Sequence, residues 1–311
     1  MLERMGEKEM WFVFAVAAAT CFGFRGVLYH WTAQRPIDRN LLLLGVYLSG
    51  TIITLCINIF IQQPWSKGVW IGVFMGLSSF MANASMYRGY AVGKASIVAL
   101  FTGLPPLVVV VIAYFLWNEA LSTWQMSAFI IVLIGLLLIK YSHDFKLDQL
   151  KGIQWGILTM LFFGFTDVAV KQATIIGAST FPILTVMFAT GSLLFGTLWT
   201  INNAKRPSMQ SQVKNQNEAN RHSNAELHNS WTKKKTLGWG MFVGITNVVG
   251  MILIFPAFRE GITGIVSAIV AMNVAFVILY ARFYLKENWS KREVSGLIMA
   301  FIGILVLRLA S

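Results

Sequence analysis

The chain has 311 residues, of which 56% are hydrophobic and 12% charged, with a mean hydropathy of +0.65 and a formal net charge of +12. Soluble globular proteins carry about 25% charged residues, so this composition excludes an ordinary soluble domain and indicates an integral membrane protein. The excess of Lys and Arg does not indicate nucleic-acid binding, because most of these residues lie between hydrophobic segments, as in membrane proteins generally.

Ten hydrophobic segments are long enough to cross a bilayer, because a spanning helix needs about 20 mainly apolar residues. The first five segments lie at 10–31, 41–62, 67–88, 95–117 and 124–141. The second five lie at 152–173, 181–201, 237–258, 262–285 and 292–309. The sequence therefore predicts an all-α integral membrane fold with ten transmembrane helices.

The two sets of five segments are copies of one another. The Phe-Gly-Phe sequence at 22–24 recurs 141 positions later at 163–165. From the third segment onward the shift is 168, so that Glu119 corresponds to Glu287. The increase of the shift from 141 to 168 is explained by a polar insertion at 202–236, which is rich in Asn, Gln, Ser and Lys. We expect this insertion to be disordered, because it is too polar to bury a core.

The repeat predicts two domains of five spans each, residues 1–145 and residues 146–311. With an odd number of spans per domain, the second domain enters the bilayer from the opposite side. We therefore expect two inverted repeats, related by a two-fold axis in the membrane plane.

Prolines within two segments predict helix breaks. Pro105 and Pro106 in the fourth segment and Pro256 late in the eighth each remove a backbone donor and crowd the preceding turn. Many carriers expose backbone groups to a substrate at broken helices near the midplane. Proline also occurs in spanning helices that have no such role, and the sequence leaves both interpretations open.

Charged side chains inside spans cost about 2.5 to 3.5 kcal/mol on insertion scales, so they are candidates for function. Arg25 in the first span and Asp167 in the sixth differ by one position under the 141 shift. We expect both to face a central cavity, Arg25 binding substrate and Asp167 coupling transport to an ion, with a proton as the candidate. Lys171 belongs to the same coupling set. Alternatively, Asp167 and Lys171 pair locally on one helix face, with Lys171 reaching toward the interface.

Further polar residues at comparable depth complete the predicted substrate-binding set, although each alone is more typical of an interhelical hydrogen bond. They are Asn83, Tyr87, Thr102, Asn247, Asn273 and Tyr280. No cluster of metal-ligating residues and no phosphate-binding G-x-x-x-x-G-K-[ST] motif occurs in the sequence. We therefore expect no metal site, no cofactor, no enzymatic activity and no ATP-driven step within this chain.

The ten spans, the Phe-Gly-Phe motif in the first helix of each half, and the paired Glu119 and Glu287 before a Gly-containing helix resemble the drug/metabolite transporter superfamily. In particular, they resemble its ten-span branch with two EamA domains. The resemblance covers nearly the whole chain apart from the insertion. It implies a multi-pass carrier of the bacterial inner membrane that moves amino acids, metabolites or toxic compounds through a cavity lined by helices one, three, four, six, eight and nine.

One departure from the related small multidrug carriers bears on the substrate. Those carriers place a carboxylate eight residues before a terminal lysine, whereas here Phe163 stands eight residues before Lys171 and Phe22 before the matching His30. This weakens exchange of protons for cationic drugs, and Arg25 instead favours a substrate with a carboxylate. Export of an amino acid or related compound by alternating access is the first hypothesis. Multidrug efflux, an integral-membrane enzyme and a non-transporting sensor are the alternatives.

Two features disagree on the orientation of the termini. The side that holds both termini collects six basic residues and the opposite side 18, which by the positive-inside rule places the termini outside. The family resemblance implies that both termini are cytoplasmic. The expected partners are a small-molecule substrate, the lipid bilayer and a coupling proton.

Overall fold

The computed structural model describes residues 2–33, 35, 37–92, 98, 100–140, 152–213, 231–284, 286 and 290–310. Within these residues the protein is helical and contains no strand. Seven helices are long and apolar enough to cross a membrane, and two shorter apolar helices accompany them. The all-helical membrane fold predicted from composition is confirmed.

The helices of the first half are α1 (Leu2–Ala33), α2 (Arg39–Ile61), α3 (Ile71–Val92), α4 (Pro105–Trp117) and α5 (Thr123–Lys140), with a 3-10 turn at Lys67–Trp70 leading into α3. Those of the second half are α6 (Ile153–Ile175), α7 (Thr180–Val213), α8 (Lys233–Glu260), α9 (Thr263–Ala271), α10 (Asn273–Phe283) and α11 (Lys291–Leu309).

Several helices begin at polar residues that satisfy the free N–H groups of the first turn. The Asp38 carboxylate accepts hydrogen bonds from the first residues of α2, and the Thr232 hydroxyl accepts one from Lys235 at the start of α8. Ser290 and Glu293 form a capping box at the start of α11. These caps stand where the polar loops meet the apolar segments, and so they set the helix boundaries.

Glycines allow helices of the two halves to come into backbone contact. Gly240 lies against the Leu42 carbonyl and Gly244 against the Val46 carbonyl, so α2 and α8 run parallel and touch along this face. Lipid provides no hydrophobic drive for helix association, and small residues that permit close approach serve instead.

Corresponding helices of the two halves pack antiparallel. Gly50 of α2 lies against Phe188 of α7, whereas Gly191 of α7 lies against Tyr47 of α2. Residue numbers that increase along α2 therefore lie against residue numbers that decrease along α7. The second long helices of the two halves, α2 and α7, are therefore antiparallel.

The last helices of the two halves, α5 and α11, pack in the same way. Gly135 lies against the Gly296 carbonyl and Gly303 against Val132, which again gives an antiparallel pair. These two helices contact mainly each other, at the periphery of the molecule.

The fourth and ninth predicted spans are each interrupted. Residues 102–104 form a turn, and α4 begins at Pro105, where a missing N–H costs nothing at a helix start. The ninth span is divided at Met272 between α9 and α10. Under the 168 shift Met272 corresponds to Leu104, so the two interruptions occupy equivalent positions of the repeat.

The break predicted at Pro256 does not occur, because α8 continues through this residue to Glu260. Proline removes one helical hydrogen bond, and the flanking Phe255 and Phe258 are fully buried, which holds this part of the helix in place. The interruption of the second half falls in α9–α10 instead.

The structure describes helix at both flanks of the insertion at 202–236, for which the composition predicts disorder. Residues 202–213 continue α7, and 233–236 form the first turn of α8. The two flanks meet where the Lys233 ammonium donates a hydrogen bond to the Asn203 side-chain oxygen at 3.5 Å. A polar composition does not prevent a helix from continuing past the end of its apolar run. Residues 214–230 lie outside the described residues.

Candidate functional site

Arg25 lies on α1 inside the span Met10–Thr32. Its Nη1 donates a hydrogen bond to the side-chain oxygen of Asn247, a buried residue of α8, so the contact joins the two halves. The guanidinium carbon lies 4.7 Å from the ring centroid of Phe22 and 6.0 Å from that of Tyr29. Within the described residues Arg25 forms no ion pair with a carboxylate. The charge is therefore held by a neutral amide and two ring faces.

Asp167 lies on α6 and accepts a hydrogen bond of 2.6 Å from the hydroxyl of Ser267 on α9. Ser267 is buried, so the contact joins two interior helices of the second half. Among the described residues no ion pair connects Arg25 with Asp167. The structure thus gives the two intramembrane charges separate polar partners, both of which belong to the second half.

Lys171 does not pair with Asp167, although the two residues are one turn apart on α6. Its Nζ lies 3.1 Å from Oε1 of Glu119 and donates hydrogen bonds to the carbonyls of Phe258 at 3.0 Å and Gly261 at 3.2 Å. Lys171 is 8% exposed. It therefore points into the protein, and the alternative of a lysine that reaches toward the interface is wrong.

Asn83 takes part in hydrogen bonds between α2 and α3. Its Nδ2 donates to the Tyr47 hydroxyl at 3.3 Å and to the Ser79 carbonyl at 2.8 Å, and the Tyr47 and Ser79 hydroxyls share a further hydrogen bond. All three residues are buried. This arrangement matches the interhelical alternative that the sequence left open for each polar residue.

Tyr87 and Tyr280 lie toward the end of the molecule where α1 ends. The Arg39 guanidinium is 5.4 Å from the Tyr87 ring centroid. The Tyr280 ring stacks on Tyr284 at 5.1 Å and meets His30 edge-on at 6.3 Å. These two tyrosines therefore belong to aromatic contacts near a membrane surface.

Thr102 and Asn273 lie at the two helix interruptions. Thr102 is in the turn that precedes α4, and Asn273 is the first residue of α10. Both are partly exposed. Both residues therefore lie beside backbone groups that do not form the regular hydrogen bonds of a helix.

Sequence reasoning missed two partners. Ser267 carries no sequence feature that separates it from other small polar residues in helices. Glu119 was recognised only as one member of a repeated pair, and its contact with Lys171 links residues far apart in the chain. Within the described part of the chain, no three or more His, Cys, Asp or Glu residues are grouped so that they could hold a metal ion.

Paired interior helices of the two halves, polar contacts inside the spans and two equivalent helix interruptions are typical of multi-pass membrane carriers. The chain belongs to the EamA-like transporter family, whose sequence profile matches residues 9–141 and 150–309. The two matches correspond to the two halves, and the resemblance to the drug/metabolite transporter superfamily is confirmed.

A solved crystal structure shares this fold at 14% sequence identity, with a TM-score of 0.73, and the match covers 96% of this chain and 99% of the other. At this identity the likeness concerns the fold alone. None of the curated proteins matches the sequence.

Proposed function

We propose that this protein is a secondary active transporter of the bacterial inner membrane that exports an amino acid or a related carboxylate by alternating access. Membership of the EamA-like transporter family supports transport of a small molecule through a membrane. The choice of substrate class depends on the interior residues, and above all on Arg25.

The observation that carries the proposal is the positive charge of Arg25, which only a neutral amide and ring faces accompany within the described residues. A guanidinium has several N–H donors in a planar fork, and Asn247 accepts from one of them. A carboxylate can accept two parallel hydrogen bonds from such a fork. A substrate carboxylate would therefore offset the cost of placing the charge inside a membrane.

Inverted repeats are supported by the antiparallel packing of α2 with α7 and of α5 with α11. The interruptions at Leu104 and Met272 fall at equivalent positions of the two halves. In carriers built from inverted repeats, discontinuous helices near the midplane form the substrate and ion sites. We place the substrate pathway between these interruptions and the interior faces of α1 and α8.

Inversion also accounts for the separation of the two charges. At about 1.5 Å per residue, Arg25 lies about 6 Å beyond the middle of its span and Asp167 about 4.5 Å beyond the middle of its own. If the two spans run in opposite directions, the charges are displaced toward opposite surfaces, roughly 10 Å apart along the membrane normal. Arg25 is thus free to bind substrate, and Asp167 is a separate site for a coupling proton.

The test is Arg25→Ala, with Arg35→Ala as its matched control. Arg35 is exposed, and its guanidinium lies 3.6 Å from the ring centroid of Trp31, so it is also an arginine on an aromatic ring but lies outside the span. Loss of a charged hydrogen-bonded pair costs about 1.5 to 3 kcal/mol, roughly a 10- to 100-fold loss of affinity.

We expect Arg25→Ala to lose amino-acid uptake into proteoliposomes and the ligand-induced rise in melting temperature, and Arg35→Ala to keep both. Unchanged uptake by the Arg25→Ala protein would remove this residue from the pathway. Stabilisation of the wild-type protein by cationic dyes but by no amino or organic acid would favour multidrug efflux instead.

A further inference from the structure

Glu119, in the loop between α4 and α5, connects the first half to the ends of three helices of the second half. One carboxylate oxygen lies 3.1 Å from Nζ of Lys171 on α6. The other accepts a hydrogen bond of 2.9 Å from the backbone N–H of Thr263, the first residue of α9. Through Lys171 the contact extends to the carbonyls of Phe258 and Gly261 at the end of α8.

Every donor and acceptor of the Lys171 and Glu119 side chains has a partner, and the two residues could not exchange places. The Lys171 ammonium has an acceptor for every N–H that it carries, and each oxygen of Glu119 has a donor. The side chains are 10% and 22% exposed. Exchanging the two residues would not restore the contacts, because a lysine cannot accept from the Thr263 N–H and a glutamate cannot donate to two carbonyls.

Two further hydrogen bonds join the halves at the same end of the molecule. The Trp117 indole N–H, at the end of α4, donates to the side-chain oxygen of Gln172 at 3.1 Å. The backbone N–H of Phe181 on α7 donates to the side-chain oxygen of Gln63 at 2.9 Å. Polar contacts between the halves are therefore concentrated where α4, α6 and α8 end.

At the opposite end a histidine stands at the position equivalent to Lys171. Under the 141 shift the counterpart of Lys171 is His30, which meets the Tyr280 ring and whose buried Nδ1 has no hydrogen-bond partner among the described residues. Near His30 the halves meet through aromatic rings, with the Trp31 and Trp239 centroids 4.9 Å apart. Among the described residues, the contacts around Lys171 and those around its counterpart His30 are thus of different kinds.

We propose that the Glu119–Lys171 ion pair is a latch that holds the two halves together at this end, and that it breaks when this end opens to solvent during transport. This inference rests on the proposed transport function. A buried ion pair suits such a role, because water that enters on opening rehydrates both charges and offsets the lost attraction. Latched and open arrangements then form two states whose populations a substrate can shift.

The experiment measures distances between spin labels in protein reconstituted into lipid nanodiscs without substrate. Cys21 and Cys56 are first replaced by Ser, and labels are attached at Thr123 on α5 and Glu260 at the end of α8, which are exposed and belong to different halves. Glu119→Gln keeps an acceptor for the Thr263 N–H but removes the charge that attracts Lys171. We expect it to shift the distribution toward longer distances.

Glu293→Gln is the matched control. Glu293 pairs with Arg282 at 2.6 Å with side-chain exposures of 19% and 13%, close to those of the latch, but both residues belong to the second half. We expect no shift from this variant. Trp117→Phe is a milder second variant that removes only the indole donor to Gln172, and we expect it to give a smaller shift in the same direction as Glu119→Gln.

An unchanged distribution in both Glu119→Gln and Trp117→Phe would overturn the latch. If Glu119→Gln does not fold, the Trp117→Phe distribution decides by itself. An equal shift in Glu293→Gln would also overturn it, since any lost ion pair would then loosen the protein. The measurement needs no transported substrate, so a shift without transport by the wild-type protein would contradict the proposed function and support only the role of the ion pair in holding this end closed.

Discussion

A guanidinium inside a bilayer is stable only where neighbouring groups replace part of its hydration. Around Arg25 the Asn247 amide and the rings of Phe22 and Tyr29 do this without neutralising the charge. Lys171, by contrast, is neutralised by Glu119 and saturated by carbonyls. Among the described residues, the positive charge of Arg25 thus has no counter-charge, whereas that of Lys171 is compensated by a carboxylate.

The proposed role of Asp167 as the site of the coupling proton can be tested by a substitution. Asp167→Asn keeps the size of the side chain and an acceptor for the Ser267 hydroxyl, but it removes the group that exchanges a proton. We expect uptake by this variant to stop responding to an imposed pH gradient in proteoliposomes, while counterflow of substrate without a gradient continues.

The control for this prediction is Ser267→Ala, which removes the hydrogen bond at 2.6 Å but keeps the carboxylate. We expect it to retain the response to the gradient. If Asp167→Asn responds as fully as the wild-type protein, coupling resides elsewhere in the chain.

At the scale of single helices, the interruptions in the two halves have different causes. The turn before α4 has a local cause in two consecutive prolines, whereas the break at Met272 occurs without proline at the equivalent position. Pro256 leaves α8 unbroken, because buried neighbours hold the helix in place. A proline therefore weakens a helix, and packing decides whether it breaks.

The contact between α2 and α8 allows a prediction with an internal control. A Cβ atom at Gly240 would overlap the Leu42 carbonyl, which belongs to the backbone, so Gly240→Ala must push the helices apart. Overpacking of this kind costs about 1 to 3 kcal/mol. We expect a lower melting temperature in detergent for this variant.

Gly238 lies on the same helix, and a Cβ atom there meets nothing within 4 Å. Gly238→Ala should be neutral or stabilising by up to about 1 kcal/mol, because alanine is the better helix former. Equal melting temperatures for the two variants would show that α2 and α8 can move apart without a loss of stability.

At the scale of the whole molecule, α2 and α7 are antiparallel, as are α5 and α11, and interior helices of one half pack on those of the other. Contacts within one half cannot by themselves hold this arrangement, because α1 packs mainly on α8 and α10, and α3 on α6 and α7. The two halves therefore fold as one unit, and the transport cycle proposed above requires movement at the contacts between them.

The polar insertion connects α7 to α8. Lys233 and Asn203 are in contact at 3.5 Å, so the chain on either side of the insertion is already close together. We expect replacement of residues 208–230 by a short Gly-Ser linker to leave uptake and melting temperature unchanged. Loss of uptake with unchanged stability would instead give the insertion a role in transport.

Much of the fold could be predicted from the sequence, because apolar segment length and internal repetition are properties of the chain itself. Arg25 and Asp167 could also be singled out, since a charge within an apolar segment stands out from its neighbours. Their partners could not be predicted. Asn247 and Ser267 lie 222 and 100 positions away from them, and nothing local indicates which helix faces meet.

By itself the sequence determined that the chain crosses the membrane repeatedly as two related halves, because transfer of apolar segments into lipid depends on composition and length. Only the tertiary structure decided that Lys171 meets Glu119 rather than Asp167, and that the ninth span breaks at Met272 while α8 continues through Pro256. Hydrogen bonds and ion pairs depend on ångström-scale geometry, which the rotation and close packing of neighbouring helices impose.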